Sequence, residues 1–275
     1  RRLNFDGKPL HHHMGCSVFA EYATVSRRSL VKIDADIPLD EAALFGCAVL
    51  TGVGAVVNTA QVRAGASVAV VGLGGVGLAA LIGAQAAGAR QIVAVDLSDA
   101  KLEQAKALGA THTVNAGSSD AKDQVRALSN GGVEYAFEFA GAIRALELAY
   151  AITRRGGTTV TAGLPPSTAS FGINAVSLVA EERTLKGSYI GTCVPSRDIP
   201  RFIALYRQGR LPVDKLVSGR LRLDEINQAF DLLRLRARPD AGELESLILP
   251  LNALGFLGLS WVKWHNSDPE HAYLF

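Results

Sequence analysis

The chain has 275 residues, 48% of them apolar and 20% charged, with a net charge of +2. That composition excludes a disordered chain, and the near balance of charge gives no case for a nucleic-acid or membrane-surface partner. The length admits one large domain or two. Cys16, Cys47 and Cys193 form no Cys-x-x-Cys and no disulfide framework, so a reducing compartment, the cytoplasm, is expected. No signal peptide and no clean membrane span is visible. The chain opens on Arg1-Arg2 and its only Met is Met14, so a piece of a longer translation product is expected.

In chain order, Val18 to Val25 reads as a strand and Leu30 to Ile33 as another. His11, His12 and His13 make a poor metal site, because adjacent residues of an extended segment point to alternate faces. Asp40-Glu41 marks a helix start, and a helix continues from Thr51 to about Ala60. Ser67 to Val71 is a short apolar run that suits a strand buried on both faces. A helix follows from about Gly75 to Ala87, then an apolar strand from Gln91 to Val95 that ends in Asp96. Helices over Asp99–Leu108, Asp120–Leu128 and Ala142–Thr153 alternate with strands over Thr111–Val114, Val133–Glu138 and Gly157–Gly163. This alternation predicts an α/β, doubly wound parallel sheet of roughly six strands between Ser67 and Ser188. Beyond it, Ser196–Gln208 reads as a helix, Leu216–Leu221 as strand-like, and Leu223–Leu233 as a helix. The tail from Arg234 holds Trp261 and Trp264, and its apolar run from Leu247 to Val262 is too short and too broken for a span.

Gly72, Gly74 and Gly77 form a Gly-x-Gly-x-x-Gly between the first strand and its helix. The first glycine permits a tight turn, the second lets a pyrophosphate reach the backbone, and the third lets helix and strand pack closely. The helix N-terminus would face the phosphates. Asp96, nineteen residues after Gly77, can accept hydrogen bonds from the adenosine ribose and repels a 2′-phosphate, so NAD is the expected cofactor.

The motif order Gly7-Lys8-Pro9-Leu10, Phe19-Ala20-Glu21-Tyr22, Gly46-Cys47, Thr51-Gly52, the glycine loop and Val95-Asp96 resembles the zinc-dependent alcohol dehydrogenases of the medium-chain family. Gly131 to Glu138, Gly163-Leu164-Pro165-Pro166, Leu185-Lys186-Gly187 and Ile226 to Phe230 extend it, so the likeness covers about residues 7–234. The resemblance implies a Rossmann domain beside remnants of a GroES-like, mostly-β catalytic domain. It implies Cys47 as one ligand of a catalytic zinc, with Thr51 and Val76 against the nicotinamide. Gly75 belongs to the phosphate loop and Lys101 lies beside the adenosine ribose. Backbone at Ala162, Leu164 and Ile190 meets the carboxamide, and Phe139 and Ala140 lie near adenine and ribose. Hydride transfer between NAD and a small-molecule alcohol, aldehyde or ketone follows from the family, as does a homodimer through the dinucleotide domain.

Departures from the family pattern are specific. No Gly-His-Glu occurs, no structural-zinc cysteines occur, and Cys16 and Cys193 match no ligand position. A family member lacking its N-terminal part is therefore expected, inactive alone, with Leu44, Phe45 and the strand around Phe19 left uncovered. Expected parts are residues 1–48 from the GroES-like domain, 49–189 as the Rossmann domain, 190–234 returning to the first, and 235–275 as an atypical tail. A non-catalytic NAD-binding fragment or subunit, and a zinc-free NADPH-type reductase of the wider family, stay open as alternatives.

Overall fold

The structure, a computed structural model, describes residues 3–10, 25–217, 219, 221–228, 230–231 and 271–274. The expectations for His11 to His13, Cys16, Phe19 and nearly all of the tail lie outside them. Strands β1 (Leu3–Phe5) and β2 (Lys8–Leu10) form an antiparallel hairpin. Strand β3 (Val31–Asp34) pairs antiparallel with β10 (His271–Leu274). Helix α1 (Leu39–Ala42) opens with Asp40 and Glu41 in its first turn, as anions favour, and passes into a 3₁₀ turn over Ala43–Gly46. The path breaks at Cys47 (φ −141°, ψ −70°) and resumes as α2 (Ala48–Gly54). α2 widens into a π-helical stretch, Ala55–Ala60, and stops at Gln61 in the left-handed conformation.

Six parallel strands follow: β4 (Ser67–Val71), β5 (Gln91–Asp96), β6 (His112–Asn115), β7 (Val133–Glu138), β8 (Thr153–Thr161) and β9 (Thr184–Gly187). Their order across the sheet is β6-β5-β4-β7-β8-β9, with β4 at the centre and buried at every position. Period-two alternation divides each strand between two cores. Val68, Val70, Ile92, Ala94 and Phe137 face the layer of α2, α3 (Gly75–Ala86) and α4 (Asp99–Ala107). Ala69, Val71, Val93, Val95 and Ala136 face the layer of α5 (Ala121–Leu128) and α6 (Ile143–Ile152). The layers change side because each crossover is right-handed and the order reverses direction after β6. α3 carries almost no polar face because it lies in the middle of its layer, with α2 packed against it. The expected doubly wound sheet is therefore present, with β4 and β7 at their expected bounds and the other element ends within four residues of theirs.

The later segment holds two corrections. Leu216 ends a 3₁₀ turn (Val213–Leu216), and none of the described residues from 217 to 221 is in a strand. Val213 and Leu216 are turned into the core by that tight turn, which an alternating apolar pattern imitates. Leu44 and Phe45, expected to be uncovered, are 3% and 0% exposed. Helix α8 (Pro195–Arg207) covers them: Tyr206 packs edge-on to Phe45 at 6.0 Å between ring centroids and donates a hydrogen bond from its hydroxyl to Glu41. Arg207 reaches Asp34 at 2.7 Å and Asp36 at 2.5 Å, tying α8 to β3 and the turn after it. One continuous core thus runs from Ile33 through the sheet to Leu216. Short helix α7 (Ala175–Ala180), which the pattern does not reveal, precedes β9. Among the described residues no single helix is long and apolar enough to cross a membrane.

Candidate dinucleotide site

The strand order changes direction between β4 and β7, and a doubly wound sheet takes its ligand above the carboxyl ends of the strands at that point. Gly72 turns the chain out of β4 with φ +89°. A Cβ on Gly72 would stand 2.7 Å from Ala140 N, and one on Gly77 would stand 1.9 Å from Gly72 O. Both positions therefore admit glycine alone, as a phosphate cradle needs. Gly74 is the N-cap of α3 and no side chain caps that helix. The N–H groups of Gly75, Val76 and Gly77 are thereby a helix start open to an anion.

Asp96 closes the cradle from the end of β5, with its side chain 10% exposed. Its Oδ2 accepts from Leu73 N at 2.6 Å and its Oδ1 from Ser98 N at 3.0 Å. Lys101 Nζ lies 3.7 Å from Oδ1. The carboxylate is thus fixed at the lip of the loop before any ligand arrives.

On the other side of the crevice, Phe139 leaves β7 with its N–H on Val71 O at 2.9 Å and its ring parallel to that of Phe137. Ala162 and Gly163 donate their N–H groups to Glu138 O, and Leu164 beyond them is 76% exposed. Ile190, Gly191 and Thr192 all adopt positive φ (48°, 65° and 53°). For a β-branched isoleucine this conformation is strained, and packing must hold it there. A Cβ on Gly191 would stand 2.1 Å from Leu50 O, and one on Gly54 would stand 2.4 Å from Cys193 Sγ. The loop is pressed onto α2 by these two glycines. Gly52 does the same between helices: its Cβ would stand 2.3 Å from Val76 O. Thr51 precedes Gly52 on α2, and Val76 is an α3 residue that Gly52 lies against.

The sequence profile described as zinc-binding dehydrogenase matches residues 75–208. Alcohol dehydrogenase 1 of Pisum sativum is 37% identical over 235 residues, which are 84% of this chain and 62% of that protein. The crystal structure of an alcohol dehydrogenase zinc-binding domain protein from Burkholderia ambifaria superposes with a TM-score of 0.78 at 37% identity, over 82% of this chain and 61% of that one. Over these residues the chain is similar to the zinc-binding dehydrogenases. Benzyl alcohol dehydrogenase from Acinetobacter calcoaceticus is a further structural neighbour, with a TM-score of 0.72 at 34% identity over 74% of this chain and 56% of that one. The chain spans just over three-fifths of the length of the curated relatives it matches.

Metal donors are few among the described residues. Cys47 sits at the break before α2, and burial pushes its thiol up to about 11, against a hydrogen bond with Thr51 that lowers it. Among the described residues no three His, Cys, Asp or Glu side chains come together to hold an ion. By themselves the described residues do not make up a zinc site. Cys193 accepts from Asn58 Nδ2 at 3.3 Å and donates to Leu50 O at 3.4 Å, so it is a packed thiol beneath the loop. Its thiol is pushed up to about 12, by burial first and then by the charge of Asp198. Sequence reasoning passed over Glu138, Gly54 and Gly191. A charged residue closing an apolar strand, as Asp96 does, was the available signal for Glu138.

Proposed function

We propose that this chain is the dinucleotide-binding part of an NAD-dependent alcohol dehydrogenase that moves hydride between an alcohol and its aldehyde or ketone. The observation that carries it is Asp96, nearly buried and held beside a loop from which side chains are excluded. Of the candidates, Gly72, Gly74, Gly75 and Gly77 would hold the pyrophosphate, and Asp96 with Lys101 the adenosine ribose. Phe139 would lie beside the adenosine half, and Thr51, Val76, Ala162, Leu164 and Ile190 would orient the nicotinamide. When bound, NAD supplies the hydride acceptor; the protein's part is orientation and exclusion of water. Asp96 speaks against the NADPH-type reductase, since it would set like charges close together.

In the longer protein Cys47 would be one zinc ligand, with others from outside the described residues. By itself the chain is proposed to bind NAD without oxidising alcohols, because no metal donor set forms among the described residues. That same observation favours the second reading, a non-catalytic NAD-binding subunit. The parts proposed are 1–48, 49–189, 190–234 and 235–275, as the family pattern divides them, in the cytoplasm. A homodimer through the sheet edge is supported by β9, which has β8 on one side, and by Val176 and Val179 on α7, 74% and 78% exposed.

The test is fluorescence titration with NADH and NADPH, zinc analysis, and turnover with primary and secondary alcohols. NADH binding well above NADPH binding, with no turnover, is expected. Equal affinities would sink the assignment of Asp96, and stoichiometric zinc with steady turnover would sink the inactive reading.

A further inference from the structure

Glu138 is an acidic residue, 1% exposed, at the last position of β7 and beside the point where the strand order reverses. Among the described residues it has no ion-pair partner. Its carboxyl group instead joins two loops. Oε1 accepts from Gly141 N at 2.6 Å, in the loop after β7. Oε2 accepts from Thr161 Oγ1 at 2.6 Å, at the end of β8. Above it the two loops touch backbone to backbone. A Cβ on Gly163 would stand 2.4 Å from Gly141 N and 2.7 Å from Glu138 Oε1. A buried acid with two short hydrogen bonds from two different loops fixes their separation.

We propose that Glu138 is a positioning residue for the nicotinamide half of the cofactor, acting through Thr161 and the backbone of Ala162 to Leu164. The proposal rests on the NAD reading above. Its physical basis is the division of the sheet. β4, β5 and β6 form one mononucleotide-binding half, in which Asp96 and the glycine loop lie. β7, β8 and β9 form the other, and both hydrogen bonds of Glu138 lie within it. Phe139, read above as lying beside the adenosine, is held separately by its N–H on Val71 O at 2.9 Å, so loss of the brace should disturb the nicotinamide end more than the adenosine end.

The experiment compares NADH with ADP-ribose, which lacks the nicotinamide, on Glu138→Ala and Glu138→Gln. Glu138→Ala leaves Gly141 N and Thr161 Oγ1 without their acceptor, and NADH affinity should fall about tenfold or more while ADP-ribose affinity changes less than about threefold. Glu138→Gln should restore NADH binding, because its amide oxygen accepts from Gly141 and its NH₂ donates to a turned Thr161 hydroxyl. Thr161→Val removes one of the two bonds and should give a smaller loss of the same selectivity, which keeps the test available if Glu138→Ala does not fold. Equal loss of both ligands would show support of the fold alone and overturn the proposal. Unchanged NADH binding, or a glutamine variant as weak as alanine, would overturn it too. Failure of the unsubstituted chain to bind either ligand would defeat the NAD reading itself and the proposal with it.

Discussion

Asp96 serves two purposes with one carboxylate, and substitutions there should show both. It meets the ribose, by the proposed reading, and it accepts from Leu73 N–H, which belongs to a fully buried residue of the glycine loop. Asp96→Ser should narrow the preference for NADH over NADPH by removing the like-charge repulsion. It should also weaken NADH itself, since an orphaned buried donor costs about 1–3 kcal/mol. Titration of both nucleotides reads the two effects, and unchanged NADH affinity would refute the bracing role. Cys47 gives a second residue-scale prediction. A thiol pushed up to about 11 should alkylate about a hundredfold more slowly near pH 8 than a free cysteine, as peptide mapping after iodoacetamide would show. The sign for stability follows. The fold favours the protonated thiol, so this contribution is full below the ordinary thiol range near 9 and falls as pH rises from there to about 11.

At the scale of elements, the site depends on how closely α2 meets α3. Gly52 lies against the backbone of α3, with its Cβ position 2.6 Å from Ala80 N. Gly52→Ala must spread the helices, at about 1–3 kcal/mol by the usual cost of overpacking. Urea unfolding should show that loss, and NADH should bind more weakly because Thr51 and Val76 separate. Gly74→Val is the contrasting case. It lies at the N-cap, outside the helix contact, so the urea midpoint should hardly move while NADH binding disappears. Normal NADH binding by this variant would place the phosphates elsewhere.

Among the described residues the sheet ends at β6 on one side and at β9 on the other, and β9 lies close in sequence to the exposed valines of α7. An unpaired edge with apolar neighbours is a template for a second copy. Sedimentation should give a dimer, and Val179→Glu should give a monomer that still binds NADH, since Val179 lies outside the crevice. A monomeric parent chain would remove that edge as the proposed dimer contact. Coverage elsewhere depends on α8, whose Phe202 and Tyr206 close over Phe45. Tyr206→Ala should therefore destabilise the chain by about 1–3 kcal/mol, the range for a half-buried aromatic that loses its packing, and calorimetry would measure it.

Much of this architecture was determined by sequence alone. Strands buried on both faces read as apolar runs, helices repeat near 3.6, and a phosphate loop needs glycines at fixed offsets, all of which are local requirements. Those rules placed β4 to β8, α3 to α6, the glycine loop and Asp96 within a few residues. Tertiary structure alone decided what depends on partners far along the chain. Glu138 meets Thr161 only because β7 and β8 lie side by side. Gly54 and Gly191 look like ordinary helix and loop glycines until a loop some 137 residues later is set down on α2. Leu44 and Phe45 looked uncovered because α8, which hides them, lies more than 150 residues away. Close approach between distant segments leaves no periodic trace in either of them, and only the folded chain shows which surfaces meet.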